Sequence, residues 1–338
     1  MKNRFDCTKI LVLGAGSWGT ALSKILACNI DDVILYTRDS DLVKEINHNN
    51  TNSKKLAGIV LPHNVKAINN YNDVQGVKTV VIVTPVKSLN AVFSNLKRSE
   101  NFDNIVLCSK GVDSDSLNFP SQICKQYFPN ANVAVLSGPN FAKEVALEKI
   151  TKTQIASTNK AFTKYLQKIF KTDYFQPEIS DDIVGIEVCG AIKNVIAIAT
   201  GIAKGLDLGE NFISSLLIFA MEEITKAVQA LGGKQATVYS LAGLGDLLLT
   251  CYSLTSRNTS FGYNIAKKGQ FTDLEATTVE GYYTAKSIFN IAEKLCIKMP
   301  ICSYIYNVLY SDVNLCDITK VIIPQKTIRL GRTKHIDK

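Results

Sequence analysis

Residues 9–19 read KILVLGAGSWG, an apolar run followed by glycines at 14, 16 and 19. A short β-rich run, a G-x-G-x-x-G turn and a helix over about 17–28 leave few ways to fold. In a strand–turn–helix of this kind Gly14 makes the tight turn. Gly16 lets backbone approach a pyrophosphate, and Gly19 lets helix and strand pack closely. The helix N-terminus then offers free N–H groups and a positive dipole to an anion. The spacing predicts a dinucleotide-binding βαβ unit at the start of the chain.

The next stretches extend that unit. DVILY, KTVVIVTP, NIVLCSKG and NVAVLSGPN are further apolar runs, each ending in a turn with Gly, Pro or Ser. Near-continuous apolar strands separated by helical segments predict a parallel sheet covered on both faces, an α/β doubly wound, Rossmann-like domain. Ligands of such sheets bind beyond the carboxyl ends of the strands. That gathers 14–19, 37–39, 84–88, 109–111 and 137–142 around one crevice. From about residue 180 the pattern turns helical. SDDIVGIEVCGAIKNVIAIATGIAKGL opens with helix-start chemistry, and NFISSLLIFAMEEITKAVQALGG stops at Gly232–Gly233. The expected division is a cofactor domain over 1–179, an all-helical substrate domain over 180–330 and a basic tail over 331–338. Glu187 is expected to face the domain interface. Glu222 and Glu223 are expected on a solvated helix face.

Composition narrows the function classes. The net charge is +8 over 338 residues, but the lysines are scattered, without the basic–aromatic blocks of a nucleic-acid surface. Such a field suits small anionic substrates. Nine cysteines, none at C-x-x-C spacing, read as reduced and mostly buried thiols, Cys28, Cys108 and Cys189 among them. The three histidines, His48, His63 and His335, lie in no metal or acid–base motif. No run of about 18 uncharged apolar residues is present, so no stable membrane insertion is expected. The N-terminus carries no signal-peptide pattern, and a cytoplasmic protein is expected.

Several polar residues stand out against this frame. The second strand ends in Arg38 and then Asp39, where a carboxylate alone would favour NAD. An arginine there can pair with a 2′-phosphate, so NADP is expected to be accepted and favoured over NAD. Lys110 and Gly138 end later strands at the crevice. Lys193 is the one cation in EVCGAIKNVIAIATGI, where an unpaired charge would be expensive. LAGLGDLLLTCYSLTSRN combines a glycine turn, Asp246, and the run Ser256–Arg257–Asn258, which suits a phosphate or carboxylate. Trp18, the single tryptophan, either covers the cofactor or packs at the domain interface.

With GAGSWGTAL, VTPVKS, SKG, SGPNFAKEV, EVCGAIKNVIAIATGI, LAGLGDLLLTCYSLTSRN and VEGYYTA in order, the chain resembles the bacterial-type NAD(P)-dependent glycerol-3-phosphate dehydrogenases. The resemblance implies reversible reduction of dihydroxyacetone phosphate to sn-glycerol 3-phosphate, feeding phospholipid synthesis. It makes Lys193 the catalytic residue, supported by Lys110 and Asp246. It puts Lys110, Gly138, Lys193, Asp246, Ser256, Arg257 and Asn258 on the substrate. It puts Ser17, Trp18, Arg38, Lys110, Ala142, Arg257, Thr278 and Glu280 on the cofactor, beside Gly14, Gly16 and Gly19. Relatives carry Ser or Thr where this chain has Asn140, so contact there is expected with altered geometry.

Hydride transfer to a ketone also needs a proton. A lysine depressed by burial and by Lys110 can supply it, with Asp246 limiting the depression and Arg257 holding the substrate phosphate. Asn194 could hydrogen-bond the substrate or the lysine. Two rivals remain at this stage, a β-hydroxyacid or 6-phosphogluconate-type dehydrogenase and a non-catalytic NAD(P)H-binding regulator. The apolar helical half is compatible with a homodimer.

Overall fold

The computed structural model describes residues 8–74, 76–99, 102–269, 279–311 and 313–323. Thr278 and the basic tail lie outside them. The strands are β1 (Lys9–Leu13), β2 (Asp32–Tyr36), β3 (Val65–Ile68), β4 (Thr79–Ile82), β5 (Asn104–Leu107), β6 (Asn132–Ser137), β7 (Thr151–Ala156) and β8 (Phe175–Ser180). They form one sheet of order β3-β2-β1-β4-β5-β6-β7-β8. Its helices are α1 (Ser17–Leu26), α2 (Ser40–Asn49), α3 (Leu89–Ser99), α4 (Pro120–Tyr127), α5 (Ala142–Ala146) and α6 (Lys160–Phe170). Leu22, Ile25, Phe162 and Phe170 fill one face of the sheet, and Phe93, Leu96, Ile123 and Phe128 fill the other. The strand order reverses between β1 and β4, which places the ligand crevice over the glycine turn.

The sheet departs from the all-parallel expectation at one pair. β6 and β7 run antiparallel, while the other neighbours are parallel. The reason lies in α5, which has five residues and packs on α1 at the crevice end. The chain therefore re-enters the sheet from the end it left, without the long crossover that a parallel neighbour needs.

The second half is helical among the described residues: α7 (Ile183–Gly205), α8 (Gly209–Ala230), α9 (Gln235–Val238), α10 (Asp246–Tyr252), α11 (Arg257–Lys268), α12 (Glu280–Lys294), α13 (Pro300–Tyr310) and α14 (Ile318–Ile322). A π-helical turn, Leu241–Gly245, precedes α10. Asp182, rather than Ser180, caps α7 by accepting from the Gly185 N–H at 2.9 Å. α7 is the axis of this half, with α8, α10, α11, α12 and α13 packed around it. It meets α11 backbone to backbone: a Cβ at Gly201 would lie 2.1 Å from the Thr259 carbonyl, and one at Gly262 2.1 Å from that of Ile198. Among the described residues α7 is the one helix long and apolar enough to cross a membrane, and it is buried inside the fold.

Two expectations about exposure are corrected. Glu223 is buried at 2% exposure, because the N-terminus of α13 arrives over it and its carboxylate accepts the Ile301 and Cys302 N–H groups. Glu222 stays exposed. Cys28 is exposed, lying just past the end of α1, whereas Cys108, Cys124, Cys189, Cys251 and Cys302 are buried free thiols. No cluster suited to a metal occurs among the described residues.

Candidate active site

The glycine turn follows the expected geometry. Gly14 has φ +119, and a Cβ there would lie 2.9 Å from the Val83 carbonyl. A Cβ at Gly19 would collide with the Gly14 carbonyl, whereas one at Gly16 would meet open space. Ser17 opens α1 with no acidic side chain in its first turn. Trp18 is half-buried against Phe175, ring centroids 6.4 Å apart.

Across the crevice, Asp246 is 2% exposed and bridges two lysines. Its Oδ1 accepts from Lys193 Nζ at 2.6 Å and its Oδ2 from Lys110 Nζ at 2.7 Å. Lys193 also donates to Thr250 Oγ1 at 2.9 Å, and Thr250 donates onward to the Asp246 carbonyl. Lys110 also reaches the Gly138 carbonyl at 3.4 Å. Burial lowers the Lys193 ammonium, Asp246 raises it, and Lys110 lowers it again, leaving it at about 8. Burial alone would raise the Asp246 carboxyl. The two ammoniums outweigh it and hold the group below the ordinary carboxylate value.

Gly190, one turn before Lys193, faces the Lys110 stem and Ser137 Oγ, each 3.6 Å from where its Cβ would stand. Ser137 Oγ is buried without a partner among the described residues.

Further candidate residues sit at three helix starts. Ser256 caps α11 by accepting from the Thr259 N–H, and Arg257 is exposed as its first residue. Asn258 is buried, donating to Asn194 Oδ1 and accepting from the Gly281 N–H, both at 2.9 Å. Asn194 is thus turned to Asn258, and one Nδ2 proton of Asn258 is left for a ligand. Glu280 opens α12, its carboxyl pushed up to about 7 by burial although Arg257 and Lys87 oppose that shift. Ala142 opens α5, half-buried. Asn140 donates to Thr153 Oγ1 at 3.0 Å. Arg38 and Asp39 are both exposed, and Asp39 Oδ1 accepts from the Asp41 and Leu42 N–H groups of α2.

Two family descriptions cover the chain: the NAD-dependent glycerol-3-phosphate dehydrogenase N-terminus matches residues 9–163 and the C-terminus of the same family residues 182–320. The glycerol-3-phosphate dehydrogenase [NAD(P)+] of Erythrobacter litoralis is 39% identical over 87% of this chain and 89% of its own. The chain belongs to this dehydrogenase family. The protein of the same name from Leptospira biflexa is 36% identical over 96% of this chain and 99% of its own. A crystal structure of glycerol-3-phosphate dehydrogenase from Coxiella burnetii superposes with a TM-score of 0.89 at 32% identity, covering 94% of this chain and 99% of that one.

The glycerol-3-phosphate dehydrogenase family uses NAD(P), and the residues here fit such a cofactor: the turn is open at Gly16, and α1 begins there with its N–H groups free of an acidic neighbour. Sequence reasoning brings together Lys110, Lys193, Asp246 and Gly138 as the structure does. It misses Thr250. The signal is present, since Thr250 lies four residues after Asp246 on one helix face.

Proposed function

We propose that the Lys193–Asp246–Lys110 cluster carries the family's reaction, reversible reduction of dihydroxyacetone phosphate to sn-glycerol 3-phosphate, in this chain. The observation that supports it is a buried carboxylate shared by two ammoniums at the carboxyl ends of the strands. Bound NAD(P)H supplies the hydride. Lys193 Nζ gives its proton to the ketone oxygen as charge builds there, and takes it back in the oxidation. Each ammonium has three donors and spends two on Asp246, Thr250 or Gly138, so each keeps one for substrate. Asp246 fixes both lysines and raises Lys193 enough to stay protonated near neutral pH. Arg257, the exposed first residue of α11, suits the substrate phosphate, far from the reacting carbon.

The same reading assigns 1–179 to the cofactor and 180–330 to the substrate, in a cytoplasmic protein whose product supplies phospholipid synthesis. The deciding assay follows NAD(P)H absorbance with purified protein and dihydroxyacetone phosphate. Turnover supports the proposal. Turnover on hydroxyacids alone, or nucleotide binding without turnover, would refute it.

NADP is the favoured cofactor on this reading, because Arg38 is exposed and unengaged by the cap while Asp39 uses Oδ1 to cap α2. Arg38→Ala should raise the KM for NADPH about tenfold and barely change that for NADH, about the effect of one charge-assisted pairing. An NADH preference untouched by the substitution would sink the assignment.

A further inference from the structure

We propose that Asn52 is a positioning residue for the dinucleotide, its buried amide pinning the Ala15 carbonyl so that the Gly16 N–H faces the cofactor's pyrophosphate. This rests on the cofactor reading above. Asn52 is 1% exposed and lies between α2 and β3. Its Nδ2 donates to the Ala15 carbonyl at 3.1 Å and to Thr20 Oγ1 at 2.8 Å. In a trans peptide the carbonyl of one residue and the N–H of the next point in opposite directions. Holding the Ala15 carbonyl toward Asn52 therefore turns the Gly16 N–H away from Asn52, at a residue that is itself exposed.

The surrounding segment is built to keep Asn52 in place. Its own carbonyl accepts from the Lys55 and Leu56 N–H groups, and Asn50 and Leu61 close the segment with a 2.7 Å bond. Glu45 Oε1 accepts from Thr51 Oγ1 and the Ser53 N–H on either side of Asn52. Ser17 Oγ ties the start of α1 to the Lys55 carbonyl at 3.0 Å. Asn52 Oδ1, in contrast, is buried without a partner among the described residues. An amide serving stability alone gains little with its acceptor idle. The two donated bonds are what this position uses: one ends on the cofactor turn at Ala15 and the other on Thr20 in α1, the helix that follows it.

Asn52→Asp keeps the shape and removes the donor. Trp18, the single tryptophan, stands in the first turn of α1, so its fluorescence is the probe of nucleotide binding, with calorimetry beside it. Titration with NADPH and with ADP-ribose, which has the pyrophosphate but no nicotinamide, should show Kd raised about tenfold or more for both. The KM for NADPH should rise in step. The kcat at saturating cofactor and the KM for dihydroxyacetone phosphate should stay within about twofold, a split that general loosening of the fold would not produce. Unchanged Kd in folded Asn52→Asp protein, or a loss confined to kcat, overturns the proposal. If that variant does not fold, Thr20→Val removes one of the two acceptors. A smaller rise in both Kd values supports the proposal and unchanged values overturn it. Wild-type protein that binds neither nucleotide, by fluorescence and by calorimetry, defeats the cofactor reading and this proposal with it.

Discussion

At Lys193 opposing effects act on one ammonium. Burial and Lys110 favour the neutral amine, Asp246 favours the cation, and the balance falls at about 8. The proton is therefore held loosely enough to be given and tightly enough to be present near neutral pH. The sign of the pH dependence follows. Reduction needs the protonated lysine, so kcat/KM for dihydroxyacetone phosphate should fall as pH rises through about 8. Oxidation needs the neutral amine, so kcat/KM for glycerol 3-phosphate should rise through the same value. Initial rates across a pH series in both directions measure this, and limbs of the same sign would refute it. Lys193→Ala should lower kcat by roughly 10²–10⁴-fold, the range for general acid–base groups, while nucleotide Kd is retained. Near-normal turnover would transfer the proton role to another group.

At the scale of the element, what was legible depended on whether a segment reads its own environment. β1, β2, β4, β5 and β6 are fully or almost fully buried, and their apolar runs announce them. β3 alternates exposed and buried residues over only four positions. β8 ends the sheet and carries Pro177, which an edge strand tolerates. Neither announces itself, and the mixed pattern TKTQIA of β7 hides its reversed direction. The site follows the same logic. Lys193 and Asp246 each stand out locally, but their 2.6 Å contact joins positions 53 residues apart and belongs to the packing of α10 on α7. Glu223 leaves the solvated face its sequence predicts because its partner is another helix: α13 brings two N–H groups of its first turn over a face of α8 that its own sequence leaves acidic. Glu223→Ala should leave those groups buried and unpaired. A loss of roughly 1–3 kcal/mol in urea unfolding is expected, with kcat nearly unchanged because α13 supplies none of the proposed site residues. No loss of stability would show that water replaces the carboxylate.

Over the whole molecule, the sheet and the helical half must hold Lys110 and Gly138, from one, against Lys193 and Asp246, from the other. Glu187 is one of the groups that join them. It sits on α7, two turns before Lys193, and accepts from the Ser121 N–H at 2.8 Å and from the Ser121 hydroxyl at the start of α4. Burial pushes its carboxyl up to about 7, and the two Ser121 bonds offset only part of that. In the unfolded chain the same group returns to an ordinary carboxylate value of about 4.3. The folded form therefore binds the proton more tightly, and the stability this confers is complete below the unfolded value and lost as pH rises toward 7. Glu187→Gln keeps the shape and can still meet both Ser121 groups, but it cannot ionise. Between pH 5 and 8 the wild type should lose on the order of 2 kcal/mol relative to this variant, from the linkage of a single shifted carboxyl. Urea unfolding of both proteins at the two pH values measures it, with the other titrating groups common to both and cancelling in the difference. A constant difference would mean that Glu187 stays ionised throughout, held by Ser121 alone. The junction between the halves would then be as firm in base as in acid.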